Sequence, residues 1–274
     1  EFSPGARAVL EGLASLADQV HLDEQPLLDD AMAQTDLTDF GSPSFREPLR
    51  VLLHALNHEA GLSRVGRVMS YGQLLQLLKN RLLVEDLVKR HPEILEEVIE
   101  RPILIVGLPR TGTTHLHNLI ATDPGLRSLP YWESLEPVLA DKERPNPGDS
   151  DPRRQRTEIA VGMIDLTLPH FKRMHEMTVD HVHEEIQLLA IDFSTMLFET
   201  MGVMPTWRDW YRSHDQTPSY RYLKRVLQVL QWLRGPRRWV LKSPQHLEQF
   251  RPLRAVFPDA TFAVTHRDPV AITA

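Results

Sequence analysis

Residues 107–114 read GLPRTGTT and gather backbone freedom, hydroxyls and one guanidinium into a single short stretch. They follow the apolar run ILIV at 103–106 and precede a helical pattern beginning at Thr113. A strand, a glycine-bounded turn and a helix start together make an anion site. The first-turn N–H groups of a helix have no internal partner, and the helix dipole adds about half a positive charge there. Gly107 and Gly112 let the main chain approach an anion closely. The hydroxyls of Thr111, Thr113 and Thr114 add donors, and Arg110 adds a cation that never deprotonates.

The spacing nearly spells the nucleotide phosphate loop G-x-x-x-x-G-K-[ST], but Thr113 stands at the lysine position and the basic residue sits inside the loop. In ATP and GTP enzymes that lysine and a Mg²⁺ ion, held partly by a strand-end aspartate, share the triphosphate charge. Here the apolar run WVL at 239–241 leads into Lys242, and TFAV at 261–264 leads into Thr265, His266 and Arg267. LLAID at 188–192 ends in an aspartate, but its neighbours keep helical spacing. The pattern predicts an anion with less charge than a triphosphate, held by fixed cations and backbone donors.

Other chemistry-bearing residues fall around the same expected sheet edge. Glu133 follows an extended segment at 126–132, and Trp132 beside it would lower the local dielectric and raise its pKa, as a general base requires. Lys242 ends a strand, and Ser243 and His246 follow it in LKSPQH. Arg267 precedes Pro269, which starts a helix, so a cation stands beside a helix N-terminus. HVHEE at 181–185 puts His181 and Glu185 four apart, as on one helix face. It lacks the H-E-x-x-H order and a third zinc ligand, which leaves Glu184 and Glu185 between substrate contact and a solvated helix start. His54 and His58 share a helix surface, and Trp207, Trp210 and Tyr211 read either as core or as an acceptor pocket.

The elements that must position these groups change character at Arg101. Before it, Leu10, Leu13, Leu16, Ala17 and Val20 keep helical spacing, as do Leu49, Leu52, Leu53 and Leu56, and Leu74, Leu75, Leu78, Leu82 and Leu83. GSPS at 41–44 reads as a turn with Ser44 as a helix cap. After Pro102, short apolar strands at 103–106, 237–242 and 260–266 alternate with helical patterns at 113–121, 220–233 and 244–257. Ile186, Leu189, Phe193, Met196 and Leu197 share another helical face, and PNPGDSDP at 145–152 is a loop. Strand and helix in alternation predict a parallel sheet with crossovers.

The chain has 274 residues, of which 42% are hydrophobic and 25% charged, the balance of a globular protein. A net charge of -6 argues against a general nucleic-acid binder. With no cysteine there is no disulfide, thiol nucleophile or cysteine-held metal, which suits a reducing cytoplasm. No apolar run approaches the roughly 20 residues of a membrane span, and Glu11 and Asp18 interrupt the N-terminal apolar pattern, unlike a signal peptide.

GLPRTGTT resembles the 5′-phosphosulfate loop of sulfotransferases, which take sulfate from 3′-phosphoadenosine 5′-phosphosulfate (PAPS). THRDPVAITA resembles their 3′-phosphate segment: a strand ending in Arg, then x-Pro, then a short helix. YWESLEP, WVLKSPQHLEQF and the helical first hundred residues are similar to a large group of bacterial sulfotransferases. The resemblance implies a cytoplasmic α/β enzyme with a P-loop-like three-layer fold and a central parallel sheet. A helical N-terminal layer (1–100) would pack on a PAPS-binding core (101–274). PAPS would be donor, PAP the product, and no metal would be needed. Pro109, Arg110, Thr111, Gly112, Thr113 and Thr114 would bind the 5′-phosphosulfate and Arg267 the 3′-phosphate. Arg110 would stabilise the leaving phosphate, Glu133 would act as base, Lys242 would reach the sulfate or bridging oxygen, and His246 would face the same site.

Many members carry Lys where this chain has Arg110, while the tyrosylprotein and carbohydrate-type enzymes use Arg. The family's 3′-phosphate serine would fall just past Ala274, so the core reads as C-terminally incomplete. The acceptor, a hydroxyl or amine on a small molecule, lipid or glycan, stays open, as does a homodimer. A kinase-like ATP enzyme and a non-catalytic anion-binding protein are the alternatives.

Overall fold

The computed structural model describes residues 2–173, 175 and 177–273. Its first hundred residues fold as helices α1 (Pro4–Ser15), α2 (Glu24–Thr35), α3 (Arg46–His58) and α4 (Arg64–Arg90). Their starts are written locally. Ser3 caps α1 by accepting from Ala6 N–H at 3.2 Å, with Pro4 at the first helical position, and Ser63 caps α4 by accepting from Gly66 N–H at 3.0 Å. Leu49, Leu52, Leu53 and Leu56 form the buried stripe of α3. In the turn before α3, Ser42 rather than the expected Ser44 is the cap: its hydroxyl accepts from Ser44 N–H at 3.4 Å over the 3-10 turn Pro43–Phe45.

The second part supplies strands β1 (Ile103–Val106), β2 (Leu126–Arg127), β3 (Leu129–Pro130), β4 (Val182–His183), β5 (Arg238–Lys242) and β6 (Thr261–Val264). Four of them form a parallel sheet in the order β2-β5-β1-β6, while β3 and β4 pair antiparallel beside it. Between and after them lie α5 (Thr113–Ile120), α6 (Tyr131–Leu135), α7 (Pro152–Thr167), α8 (Ile186–Leu189), α9 (Pro205–Ser213), α10 (Thr217–Arg234), α11 (Phe250–Val256) and α12 (Pro269–Thr273). The fold is α/β, a central parallel sheet flanked by helices. Leu104, Ile105 and Val106 are buried, as expected for a strand covered on both faces. One buried cluster runs from Leu22 and Phe45 through Leu104 and Leu227 to Phe257, so the helical layer and the sheet share it.

Three segments depart from the sequence pattern. Residues 126–132 do not make one strand: β2 pairs with β5 and β3 with β4, the switch of partner falling at Ser128, and the chain turns into α6 at Tyr131. Residues 186–197 do not make one helix. α8 stops at Leu189, Phe193 turns left-handed (φ 56°), and a 3-10 turn follows at Met196–Thr200. The cause is tertiary: Asp192 accepts from buried Arg81 at 3.0 Å and from Ser219 at 2.7 Å, which fixes the break. Residues 244–257 divide into the 3-10 turn Pro244–His246 and α11.

Candidate active site

Parallel strands present their C-terminal ends on one edge. The register sets Ile105 beside Lys242 and Val106 beside Val264, so the loop after β1, Lys242 and residues 265–267 meet there. The loop approaches Thr265 as closely as its first residue allows. A Cβ on Gly107 would come within 2.1 Å of Thr265 Oγ1, so glycine is required at this point. The two threonine hydroxyls, Thr111 and Thr265, lie 2.7 Å apart and tie the loop to β6. Arg110 holds a left-handed backbone (φ 68°), a strained state for a residue with a Cβ, and Gly112 begins α5 in the same region (φ 92°). No side chain caps α5, so its first-turn N–H groups face outward. Among the described residues the exposed Arg110 guanidinium has no partner, and Arg267 Nη1 donates to Arg110 O at 3.4 Å. The edge thus carries donors and cations suited to an anion.

Lys242 completes the cluster. Its Nζ donates to Thr114 Oγ1 at 3.3 Å and pairs with Glu184. Behind it stands a buried brace. Glu185 accepts from Lys242 N–H at 2.8 Å and from His246 Nε2, and His246 Nδ1 lies 2.9 Å from the Tyr220 hydroxyl. With Nε2–H donating to Glu185, Nδ1 accepts from Tyr220. Burial by itself would raise the Glu185 pKa, but the facing His246 and the Lys242 N–H outweigh it and hold the carboxylate ionised. His117 of α5 packs under β5, its Nε2 3.3 Å from Val240 O, and burial lowers its pKa to about 4.

The structure therefore brings Pro109, Arg110, Thr111, Gly112, Thr113, Thr114, Lys242 and Arg267 to one edge. It sets two expected catalytic groups apart from it. His246 is fully buried and touches the edge only through Glu185. Glu133 is 3% exposed, and its carboxylate accepts from Arg127 at 2.9 Å and Arg234 at 3.1 Å. Trp132 is stacked by Arg153, 4.7 Å from its ring centre, and Arg234, 5.2 Å away. The carboxylate that does reach Lys242 is Glu184, between β4 and α8; residues 181–185 do not share the helix face their i, i+4 spacing suggested, and Glu185, at the start of α8, is buried rather than solvated. Trp207 and Tyr211 are core, with no exposure. No group of three or more His, Asp or Glu is placed to hold a metal among the described residues.

The family model described as "Sulfotransferase family" matches residues 102–274. The chain belongs to that family. Its fold is similar to two solved sulfotransferases. STF1 from Mycobacterium tuberculosis H37Rv is 34% identical with a TM-score of 0.77, over 92% of this chain and 69% of that one. STF9 from Mycobacterium avium is 29% identical with a TM-score of 0.80, over 92% of this chain and 64% of that one. No curated protein matches. The matched region begins just before β1 and includes the whole loop edge, so the family assignment and the anion-binding geometry fall on the same residues.

Proposed function

We propose that the chain transfers a sulfuryl group from PAPS to an acceptor hydroxyl. The observation that carries this reading is the meeting of the lysine-free loop, Lys242 and Arg267 on one sheet edge of a sulfotransferase-family chain. The residues fit the donor. The α5 N-terminus and the hydroxyls of Thr113 and Thr114 suit the 5′-phosphate, while Arg267, beside α12, suits the 3′-phosphate. Bound there, PAPS would supply an activated sulfuryl group. Arg110 offers a fork of donors for charge building on the leaving phosphate, and Lys242 offers a compact cation to the sulfuryl oxygens. Fixed cations take the role that a metal and a loop lysine share in nucleotidases.

The proton goes elsewhere than Glu133. A base must be reachable by the attacking hydroxyl. Glu133 is enclosed by two guanidiniums, whereas the Glu184 side chain is 17% exposed and already at Lys242. We assign the base role to Glu184. His246 positions: through Glu185 it holds the β5 end from which Lys242 projects.

Labelled PAPS incubated with the protein and a pool of hydroxyl acceptors tests this. Transfer of label is expected, and Arg110→Ala is expected to slow it by about 10³-fold, by analogy with transition-state arginines in phosphoryl transfer. Phosphate transfer from γ-labelled Mg-ATP without sulfate transfer would overturn the reading.

A further inference from the structure

On the sulfuryl-transfer reading, we infer that the acceptor is an uncharged apolar alcohol or phenol. Its carbon skeleton lies in a cleft of about 740 Å³ between α4, α6 and α7. Ligand pockets fall within about 300–1,000 Å³. The walls are mostly carbon: Leu62, Met69, Leu77, Leu135 and Ile164 line it, with Tyr131 on the side of β4. Its charged lining residues are Glu136 and Arg156, and these neutralise each other through bonds of 2.8 and 2.6 Å. Among its uncharged polar residues Gln76, Ser134 and Thr157 already bond within the protein, which leaves Ser70, Gln73 and Gln187 and no unpaired charge for an ionic or many-hydroxyl ligand, whereas a neutral apolar body gains by leaving water.

Place makes this cleft an acceptor site. Tyr131 lies against His183, with ring centres 4.6 Å apart, and the next residue is Glu184, paired with Lys242. Gln187, less than one helical turn further on, lines the cleft. The chain thus runs within three residues from Glu184 at the cationic edge to Gln187 in the cleft wall. The step balances: Glu184 takes the acceptor proton and the acceptor oxygen bonds to sulfur. The S–O bond to the 5′-phosphate breaks, and that phosphate keeps the electron pair.

The test uses 2-naphthol as the apolar probe, maltose as the polar comparison, and two cleft variants. Ala160→Trp fills the cleft from α7, and Met69→Lys charges its rim at a residue that is 59% exposed. Sulfation of 2-naphthol but not maltose is expected. Each variant should raise the KM for naphthol by about ten-fold or more, leaving the Kd for PAP within about two-fold, as a change in uniform acceptor binding does. Maltose sulfated in place of naphthol, with PAP binding intact, would overturn the inference alone. So would naphthol kinetics unmoved by both variants, including the case where Ala160→Trp changes only stability or oligomeric state. That result would make the cleft a packing surface. Failure of the parent protein to bind PAP would overturn the donor reading and this inference with it.

Discussion

Glu184 and Glu133 carry the same carboxylate in opposite surroundings. Glu184 meets a single cation at a partly open edge, while Glu133 is clamped by Arg127 and Arg234 under Trp132. Removing the charge should therefore separate their roles. Glu184→Gln is expected to lower kcat by about 10²- to 10⁴-fold while the Kd for PAP stays within about two-fold. Glu133→Gln is expected to leave kcat close to the parent and to lower Tm by about 5 °C, because two guanidiniums lose their buried partner. Rate constants and melting curves for the two variants check this, and a collapse of kcat in Glu133→Gln alone would return the base role to Glu133. On sequence Glu133 is the expected base, and Glu184 stands between substrate contact and a solvated helix start. Glu133 was read beside its tryptophan, whereas its arginine partners include one 101 positions away. The partner of Glu184 lies 58 positions away and is brought in by the sheet.

The element that carries the site is the β1-loop-α5 unit. It was legible because its signal is local, a β-branched run and a glycine at each end of the turn, although what requires Gly107, the approach of Thr265, comes from the far end of the chain. The break after α8 was not legible. There a buried pair between Arg81 and Asp192, 111 positions apart, overrides a well-formed apolar helical pattern. α5 also carries a pH signature. Burial holds His117 near pKa 4, below the value of 6.5 expected for an unfolded chain. Above pH 6.5 both states are neutral and its contribution to stability is complete. As pH falls from 6.5 toward 4, the unfolded state takes up the proton first, and stability is lost by up to about 1.4 kcal/mol per pH unit. His183, pushed down by burial as well, acts in the same direction. Denaturant titrations at pH 7 and pH 5 should show the loss, and His117→Asn should reduce it. An unchanged pH slope in that variant would contradict the buried neutral state of His117.

At the scale of the whole molecule, the helical first hundred residues do more than cover the sheet. α4 contributes buried Leu78 and Leu82 to the shared core, lines the apolar cleft and supplies Arg81 to the pair that bends the chain after α8. Leucine spacing marks α3, α4 and most of α1 but not α2, and it runs on to Val20 where α1 ends at Ser15; the layer's role as a cleft wall depends on how α6 and α7 pack against it, which no local pattern encodes. Among the described residues no helix is long and apolar enough to cross a membrane. The central claim is that the loop edge binds a phosphosulfate nucleotide with its own cations in place of a loop lysine and Mg²⁺. Calorimetric titration with PAP in a metal chelator, beside titration with Mg-ATP, tests it most directly. The account predicts tight PAP binding without metal and no binding of Mg-ATP; metal-dependent ATP binding with no response to PAP would contradict it.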